Sequence, residues 1–475
     1  MSGINIKRGS LVVMLAYFLF VIFFYLIAGE QMRYSTISGT PQMSRSMTTV
    51  GEIVKGETII QPIINTPDVL DGVSLLTATY NRKNTGELVL QIVNRNNNSV
   101  LAKKVIKLDD IPNNEIDNIS FAKPMKILSG EKLALRIFSN GFSGNAVTLY
   151  QNKSTSNSQS MIVNGRTTHK TLVFSLSGID SIWFGQHYFE FAALVGICLA
   201  AFLLHLNFAN SRGRTTPTLR SLSAFIKYRF LLNQLIARDF KTKYKRSVLG
   251  VLWSLLNPLL TMFVQYVIFS TLFRSNISNF PVYLLVGVVL FNFFMESISM
   301  SLSSIVGNAS LITKVYVPKY IYPISRVLSS VINLLLSLIP LIVVVIITRT
   351  PITPAYLLLP IGIIFIVIYC IGLGMLLSSS MVFFRDTQFL WGVVSMLWMY
   401  FTPIFYPASI IPERFMTWYK LNPLYHFVLF VRIIIMQGVS PGPMEYFDCF
   451  VSAFGMLVIG VIVFKKTQNR FVLHI

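Results

Sequence analysis

Acidic residues, histidines and cysteines are scarce in this 475-residue chain, and that scarcity limits its chemistry before any motif is considered. The three cysteines, Cys198, Cys370 and Cys449, all lie in apolar segments, so they offer neither a disulfide framework nor a thiolate metal cluster. Outside residues 30–182 the acids number seven: Glu190, Asp239, Glu296, Asp386, Glu413, Glu445 and Asp448. No two of these stand at metal-ligand spacing, no His-Glu-x-x-His pattern occurs, and the five histidines are scattered. The chain also has no Gly-Lys dipeptide, which removes the glycine-rich loop that cradles nucleotide phosphates. Work against a gradient would therefore need a partner that hydrolyses ATP, or a coupled ion. No metal or cofactor is expected on this chain.

What remains is largely apolar. Hydrophobic residues make up 53% and charged residues 12% of the chain, with a mean hydropathy of +0.62, the profile of a polytopic membrane protein. The formal net charge of +21 could suggest nucleic acid. Most of the excess, however, flanks apolar runs, as the preference for positive charge on the cytoplasmic side requires. No basic, aromatic-interleaved soluble module accompanies it, so nucleic acid is not an expected partner.

Lys7 and Arg8 precede the apolar run Ser10–Ala28, which exceeds a signal-peptide core and lacks a small-x-small cleavage site. Residues 1–29 are read as a first membrane helix with a cytoplasmic N-terminus. Residues 30–182 differ in kind, holding 16 Lys+Arg against 12 Asp+Glu. They contain period-two runs such as Glu87–Val93 and Lys132–Phe138, punctuated by Asn84-Thr85-Gly86 and Asn140-Gly141. Alternation between turn signals predicts an antiparallel, jelly-roll-like β-sandwich, and the balanced charge suits the outer side of a membrane. The domain loosely resembles lectin-like sandwiches. Tyr80, Phe142 or Tyr150 would stack on a pyranose if exposed, although most aromatics of a sandwich lie in its core, and a plain assembly spacer is the alternative.

Residues 183–208 form a second span, returning the chain inward. Residues 209–248 are strongly basic, with Asn210–Arg246 carrying ten cations against one acid. Leu219, Leu222, Phe225, Ile226, Phe230, Leu235 and Ile236 recur there at helical spacing, predicting an amphipathic helix at the membrane interface or against a partner. The core follows at 249–475, with apolar runs at Leu249–Phe273, Val282–Ile298, Val327–Ile347, Tyr356–Leu377, Phe389–Tyr406 and Phe450–Phe464. The expected fold is thus a polytopic α-helical membrane protein of about eight transmembrane helices with an inserted all-β extracytoplasmic domain. Lys314, Lys319 and Arg385 then fall in inner loops. The segment 407–448 is too long and apolar for an ordinary loop, and suits a re-entrant helix pair.

Four ordered stretches carry a family resemblance. They are Arg238-Asp239-Phe240-Lys241 through Leu256-Asn257-Pro258; Asn308-Ala309-Ser310-Leu311-Ile312-Thr313-Lys314-Val315-Tyr316-Val317-Pro318-Lys319; Phe384-Arg385-Asp386; and Thr402-Pro403-Ile404-Phe405-Tyr406-Pro407 with Leu421-Asn422-Pro423-Leu424. Together they resemble ABC-type polysaccharide export permeases over residues 220–470. The resemblance implies a permease working as a homodimer with two copies of a separate ABC ATPase, which carries the ATP and Mg, in a bacterial cytoplasmic membrane. The implied cargo is a lipid-linked glycan of O-antigen, capsule or teichoic-acid type, with membrane lipids as the other contact. It further implies an ATPase-coupling loop at Asn308, Leu311, Ile312, Lys314, Val315, Tyr316, Pro318 and Lys319. A cytoplasmic interface is expected at Arg238, Asp239, Lys243, Arg246, Arg385 and Asp386. Trp253, Trp398, Tyr400, Phe401, Phe405 and Tyr406 are candidates for a glycan conduit. Two rivals stay open: a membrane glycan-modifying enzyme, and an ion-coupled transporter using Glu296.

Overall fold

The computed structural model describes residues 6–39, 41, 47–128, 130–154, 159–212, 216–245, 249–273, 277, 279–314 and 317–474. It contains two compact units, Met32–Tyr188 and a helical unit formed by Met1–Gln31 with Phe189–Ile475.

The β unit is two antiparallel sheets. The strands are β1 (Tyr34–Ser38), β2 (Thr48–Thr49), β3 (Thr58–Ile63), β4 (Val69–Ala78), β5 (Glu87–Asn94), β6 (Val100–Lys107), β7 (Glu115–Lys126), β8 (Leu133–Ser139), β9 (Thr148–Lys153), β10 (Ile162–Val163), β11 (Arg166–Thr167), β12 (Lys170–Leu172) and β13 (Phe174–Ser181). One sheet runs β1-β13-β4-β9-β12, with β2 on β9 and β7 on β4; the other runs β11-β10-β3-β8-β5-β6. Alternation is why the sheets face each other. Leu88, Leu90 and Ile92 of β5 are fully buried, and β8 sets Ile137 opposite Leu90 and Leu135 opposite Ile92. Each such side chain contributes about 1.5–3 kcal/mol of burial. With Leu70, Leu75, Ile119, Val147 and Leu149 they form one core that needs no disulfide. Gly86, at φ +125°, is required because a Cβ there would lie 2.6 Å from Asn140 Oδ1.

The helical unit begins with α1 (Ile6–Arg33). After the β unit and the short α2 (Trp183–Gln186), α3 (Tyr188–Ser211) returns antiparallel to α1. Asn207 Nδ2 donates to Ser10 Oγ at 3.0 Å, Tyr17 Oη donates to the Ala192 carbonyl at 2.6 Å, and the Tyr25 and Phe189 rings lie 4.6 Å apart. The remaining helices are α4 (Pro217–Tyr244), α5 (Leu252–Phe273), α6 (Phe280–Leu302), α7 (Ala309–Lys314), α8 (Ile321–Ile347), α9 (Leu359–Phe383), α10 (Thr387–Phe401), α11 (Glu413–Lys420), α12 (Pro423–Arg432), α13 (Pro443–Thr467) and α14 (Phe471–His474). Helix α6 is the most enclosed, with Val282, Leu284, Leu285, Val286, Phe294 and Ile298 fully buried.

Among the described residues, seven helices are long and apolar enough to cross a membrane. The run expected at Phe389–Tyr406 differs from the sequence reading. Its helix, α10, holds 15 residues, about 22 Å against the roughly 30 Å of a hydrocarbon core. It stops at Thr402 because Pro403 follows, which lacks an amide to donate and disfavours the helical conformation at the residue before it. The expected interfacial helix also differs in part. Leu232 and Leu235 of α4 do not face a lipid boundary but are buried with Ile305, Ile321, Tyr322, Met375, Phe464 and Phe471, while Ile226 and Phe230 stay exposed. The side chains of Leu222 and Phe225 lie outside the described residues.

Candidate functional site

Two constellations gather most of the candidate residues. The first surrounds the segment between α6 and α8. A 3₁₀ turn, Val306–Asn308, leads into the six-residue α7, none of whose residues is buried. Leu311 is 41% exposed, Lys314 is exposed and Ile312 is half-buried; Val315 and Tyr316 lie outside the described residues. So α7 is a knob. Its root, by contrast, is fixed: Asn308 is buried, donates from Nδ2 to the Ser304 carbonyl at 2.7 Å and accepts from Arg238 Nη2 at 3.4 Å.

Arg238 also donates to Asp239 Oδ1 at 3.2 Å, and Arg326 of α8 reaches the same oxygen at 3.0 Å. The Asp239 side chain is only 3% exposed, so its charge is held by two guanidinium groups rather than by water. One turn further along α4, Lys243 pairs with Glu296 of α6 at 2.7 Å, and Asn333 of α8 donates to the same Glu296 oxygen at 2.5 Å. Arg238, Asp239, Lys243, Glu296, Asn308 and Arg326 line a pocket of ≈570 Å³. On the other side of the knob, Lys319 Nζ donates to the Gln468 carbonyl at 2.6 Å, and burial pushes the amine below its usual pKa. Three helices and the root of α7 thus share one ionic network. Arg246 lies outside the described residues, and Arg385 and Asp386 are exposed at the α9–α10 turn, apart from this network.

The sequence reading selected Arg238, Asp239 and Lys243 but missed Arg326 and Asn333. Glu296 reads in sequence as a helix-packing carboxylate or a proton carrier, and its pairing with Lys243 and Asn333 is the helix-packing arrangement. Arg326 and Asn333 are seven apart, two helical turns, on an otherwise apolar helix, and that spacing was the available signal.

The second constellation is the hairpin after α10. Asn422 is its centre: buried, it accepts Trp398 Nε1–H at 2.7 Å and the Leu424 amide at 3.1 Å through Oδ1, and donates to Thr402 Oγ1 at 2.9 Å. It therefore caps α12 and ties it to the end of α10. Arg432 closes the other side. Fully enclosed, it donates to the carbonyls of Pro403 at 2.7 Å and of Tyr283 and Ile404 at 3.1 Å, with its guanidinium 3.4 Å from the centre of the Tyr283 ring. Tyr283 Oη donates to the Tyr406 carbonyl at 2.8 Å. A short π-helical turn, Ile433–Gln437, then ends α12.

The hairpin leaves an aromatic cavity of ≈770 Å³ lined by Trp398, Tyr400, Phe401, Trp418, Tyr419 and Asn422. A second, of ≈570 Å³, shares Phe401, Trp418 and Tyr419 and adds Tyr406. Four of the six conduit candidates, Trp398, Tyr400, Phe401 and Tyr406, therefore come together. Phe405 does not join them; it is buried, stacked 5.2 Å from Phe269. Trp253 stands apart, 47% exposed at the start of α5. Arg432 and Tyr283 were missed because their partners are main-chain carbonyls, which no side-chain pattern reveals.

A multi-span helical bundle with an anchored protruding knob, a broken apolar hairpin and a separate β unit defines a multi-pass membrane protein. The chain belongs to the ABC-2 type transporter family of membrane proteins, whose profile matches residues 231–436. It is 34% identical over 244 residues to the O-antigen export system permease protein RfbA of Klebsiella pneumoniae, covering 93% of that protein and 51% of this chain. The Myxococcus xanthus protein of the same name is 34% identical over 198 residues, 75% of its length and 41% of this chain. The polysialic acid transport protein KpsM of Escherichia coli is 23% identical over 257 residues, 97% of its length and 52% of this chain.

Proposed function

We propose that this chain is the membrane subunit of an ABC exporter that moves a lipid-linked polysaccharide of O-antigen, capsule or teichoic-acid type outward across a bacterial cytoplasmic membrane. It works as a homodimer with two copies of a separate ATPase that holds ATP and Mg. The observation that carries this reading is the α7 knob, with none of its residues buried and its root held through Asn308 in the network of Arg238, Asp239 and Arg326. An ATPase pushing on α7 would move α4, α6 and α8 together, because the ion pairs join them and the buried Leu232–Ile305–Ile321 cluster backs them. Binding at the knob is thereby converted into a displacement of spans.

The charge distribution supports the orientation. Lys7 and Arg8 sit at one end of α1 and Arg212 just past the adjacent end of α3. With those ends inside, the β unit between the helices is outside and α7 is inside. The aromatic hairpin cavity then lies toward the exit, where flat ring faces offer sugar rings contact without a deep binding site.

The test is to purify the chain with its ATPase and measure chain-dependent ATP hydrolysis. Lys243→Glu and Arg326→Glu are expected to lower that stimulation about tenfold or more while the two proteins still associate, since each leaves a buried or half-buried carboxylate facing a like charge. Failure of the wild-type chain to associate with any ATPase under any condition would refute the reading.

A further inference from the structure

One end of the β sandwich carries exposed aromatic rings held in a way that core packing does not explain. The β4–β5 loop turns at Thr79–Arg82, closed by the Arg82 amide donating to the Thr79 carbonyl at 3.2 Å. Its two central residues, Tyr80 at φ +57° and Asn81 at φ +56°, are both left-handed. Asparagine tolerates that region, whereas a bulky tyrosine does so at a cost of about 1–3 kcal/mol, and such strain gathers where a side chain must be presented. The Tyr80 ring is 43% exposed.

The loop is then locked. The Arg82 guanidinium lies 4.9 Å from the centre of the Tyr80 ring and donates to Glu52 Oε1 at 2.5 Å. The other oxygen of Glu52 accepts the Gly144 amide at 2.9 Å and Ser143 Oγ at 3.4 Å. Those residues follow Phe142, which is 65% exposed and sits in a tight turn closed by Asn145 onto its carbonyl at 2.9 Å. Arg82 and the Gly144 amide together hold the Glu52 carboxyl below its ordinary pKa, so the tie is charged at neutral pH. From a third loop, Asn113 donates to Asn81 Oδ1 at 2.6 Å and accepts the Thr79 amide at 2.9 Å. The loop that carries Tyr80 and the turn that carries Phe142 are thus tied through one carboxylate, with amide and guanidinium groups beside Tyr80.

We propose that this loop end, with Tyr80 and Phe142 as stacking faces and Asn81, Arg82 and Asn113 as polar edges, binds pyranose rings of a glycan chain. The chemistry favours sugar over a protein surface. A pyranose presents an apolar C–H face, positively polarised toward a ring's negative face, and a rim of hydroxyls suited to planar amide and guanidinium groups. The choice of glycan as ligand rests on the export reading above.

The test uses the full chain in lipid nanodiscs. The probes are delipidated O-polysaccharide from the bacterium that makes it, together with hexose and N-acetylhexosamine oligosaccharides, with binding read by saturation-transfer NMR. Tyr80→Ala and Phe142→Ala are each expected to weaken binding about tenfold. Phe142→Trp, which keeps a stacking face, and Leu101→Ala, on the exposed part of β6, are expected to bind as the wild type does. The proposal is overturned if the wild-type chain binds none of these probes or if both alanine variants bind normally. Capture of a polypeptide instead of a glycan by a photo-crosslinker at position 142 would overturn it as well. Chain-dependent ATP hydrolysis in the same preparations separates the two readings, because it fails only if the export assignment fails.

Discussion

Arg432 is an unusual residue to find inside an apolar bundle: its nearest neighbours are three main-chain carbonyls and a tyrosine face, with no carboxylate among the contacts. A guanidinium can do this because its planar fork serves several acceptors at once, and carbonyls freed by a broken helix are otherwise unsatisfied. The break at Thr402–Pro407 frees the carbonyls of Pro403 and Ile404, and Arg432 spans it to the Tyr283 carbonyl of α6. Gly287 makes the approach possible, since a Cβ there would stand 3.0 Å from the Arg432 guanidinium and 2.9 Å from Ile404. Arg432→Ala is therefore expected to destabilise the helical unit by about 1–3 kcal/mol for each buried carbonyl left without a donor, seen as a lower unfolding temperature in detergent. Arg432→Lys keeps the charge but reaches fewer carbonyls, and should fall between the two. Equal melting of wild type and both variants would show that the fork does not hold the hairpin.

At the scale of elements, α9 and α13 approach until backbone meets backbone. A Cβ at Gly460 would lie 2.0 Å from the Gly372 carbonyl oxygen, and one at Gly372 would lie 2.5 Å from the Leu457 amide nitrogen. Contact of this kind lets helices associate where lipid removes the hydrophobic incentive. Gly460→Leu should separate the pair and abolish a stable, monodisperse protein in detergent, whereas Gly455→Leu, where nothing lies within 4 Å, should leave it intact; size-exclusion profiles of the two variants decide the matter. The elements themselves were largely legible from sequence. Period-two runs became β5 and β8, and all the long apolar runs but Phe389–Tyr406 became membrane-length helices, because hydrophobic periodicity is local information. What was not legible was long-range. Arg326 meets Asp239 across 87 positions, Asn422 caps α12 while holding Trp398, and Phe405 leaves the aromatic cluster to stack on Phe269. Leu235 reads as part of a lipid-facing stripe because composition does not distinguish acyl chains from a protein core.

Across the whole molecule, two modules are joined in one chain. The permease relatives are matched over 93% of their length by about half of this chain, and the family profile lies within 231–436. The transport core therefore occurs elsewhere without a β unit. Here the β unit has its own core, and its entry and exit are adjacent: the Ile182 amide donates to the Arg33 carbonyl at 2.7 Å, and Gly185 packs so closely on Met32 that a Cβ would lie 2.1 Å from its carbonyl oxygen. Helices α1 and α3 are held by contacts of their own, at Ser10–Asn207, Tyr17–Ala192 and Tyr25–Phe189. Replacing residues 34–181 with a short Gly-Ser linker should thus leave the helix pair and the core folded. The shortened chain is expected to insert, to associate with its ATPase and to support chain-dependent hydrolysis. On the proposed export and glycan-binding roles, it should lose any step that needs a glycan held outside, read as export of polymer in cells carrying only the shortened chain. Loss of ATPase association on shortening would show instead that the β unit is part of the fold of the core, and the two-module description would fall.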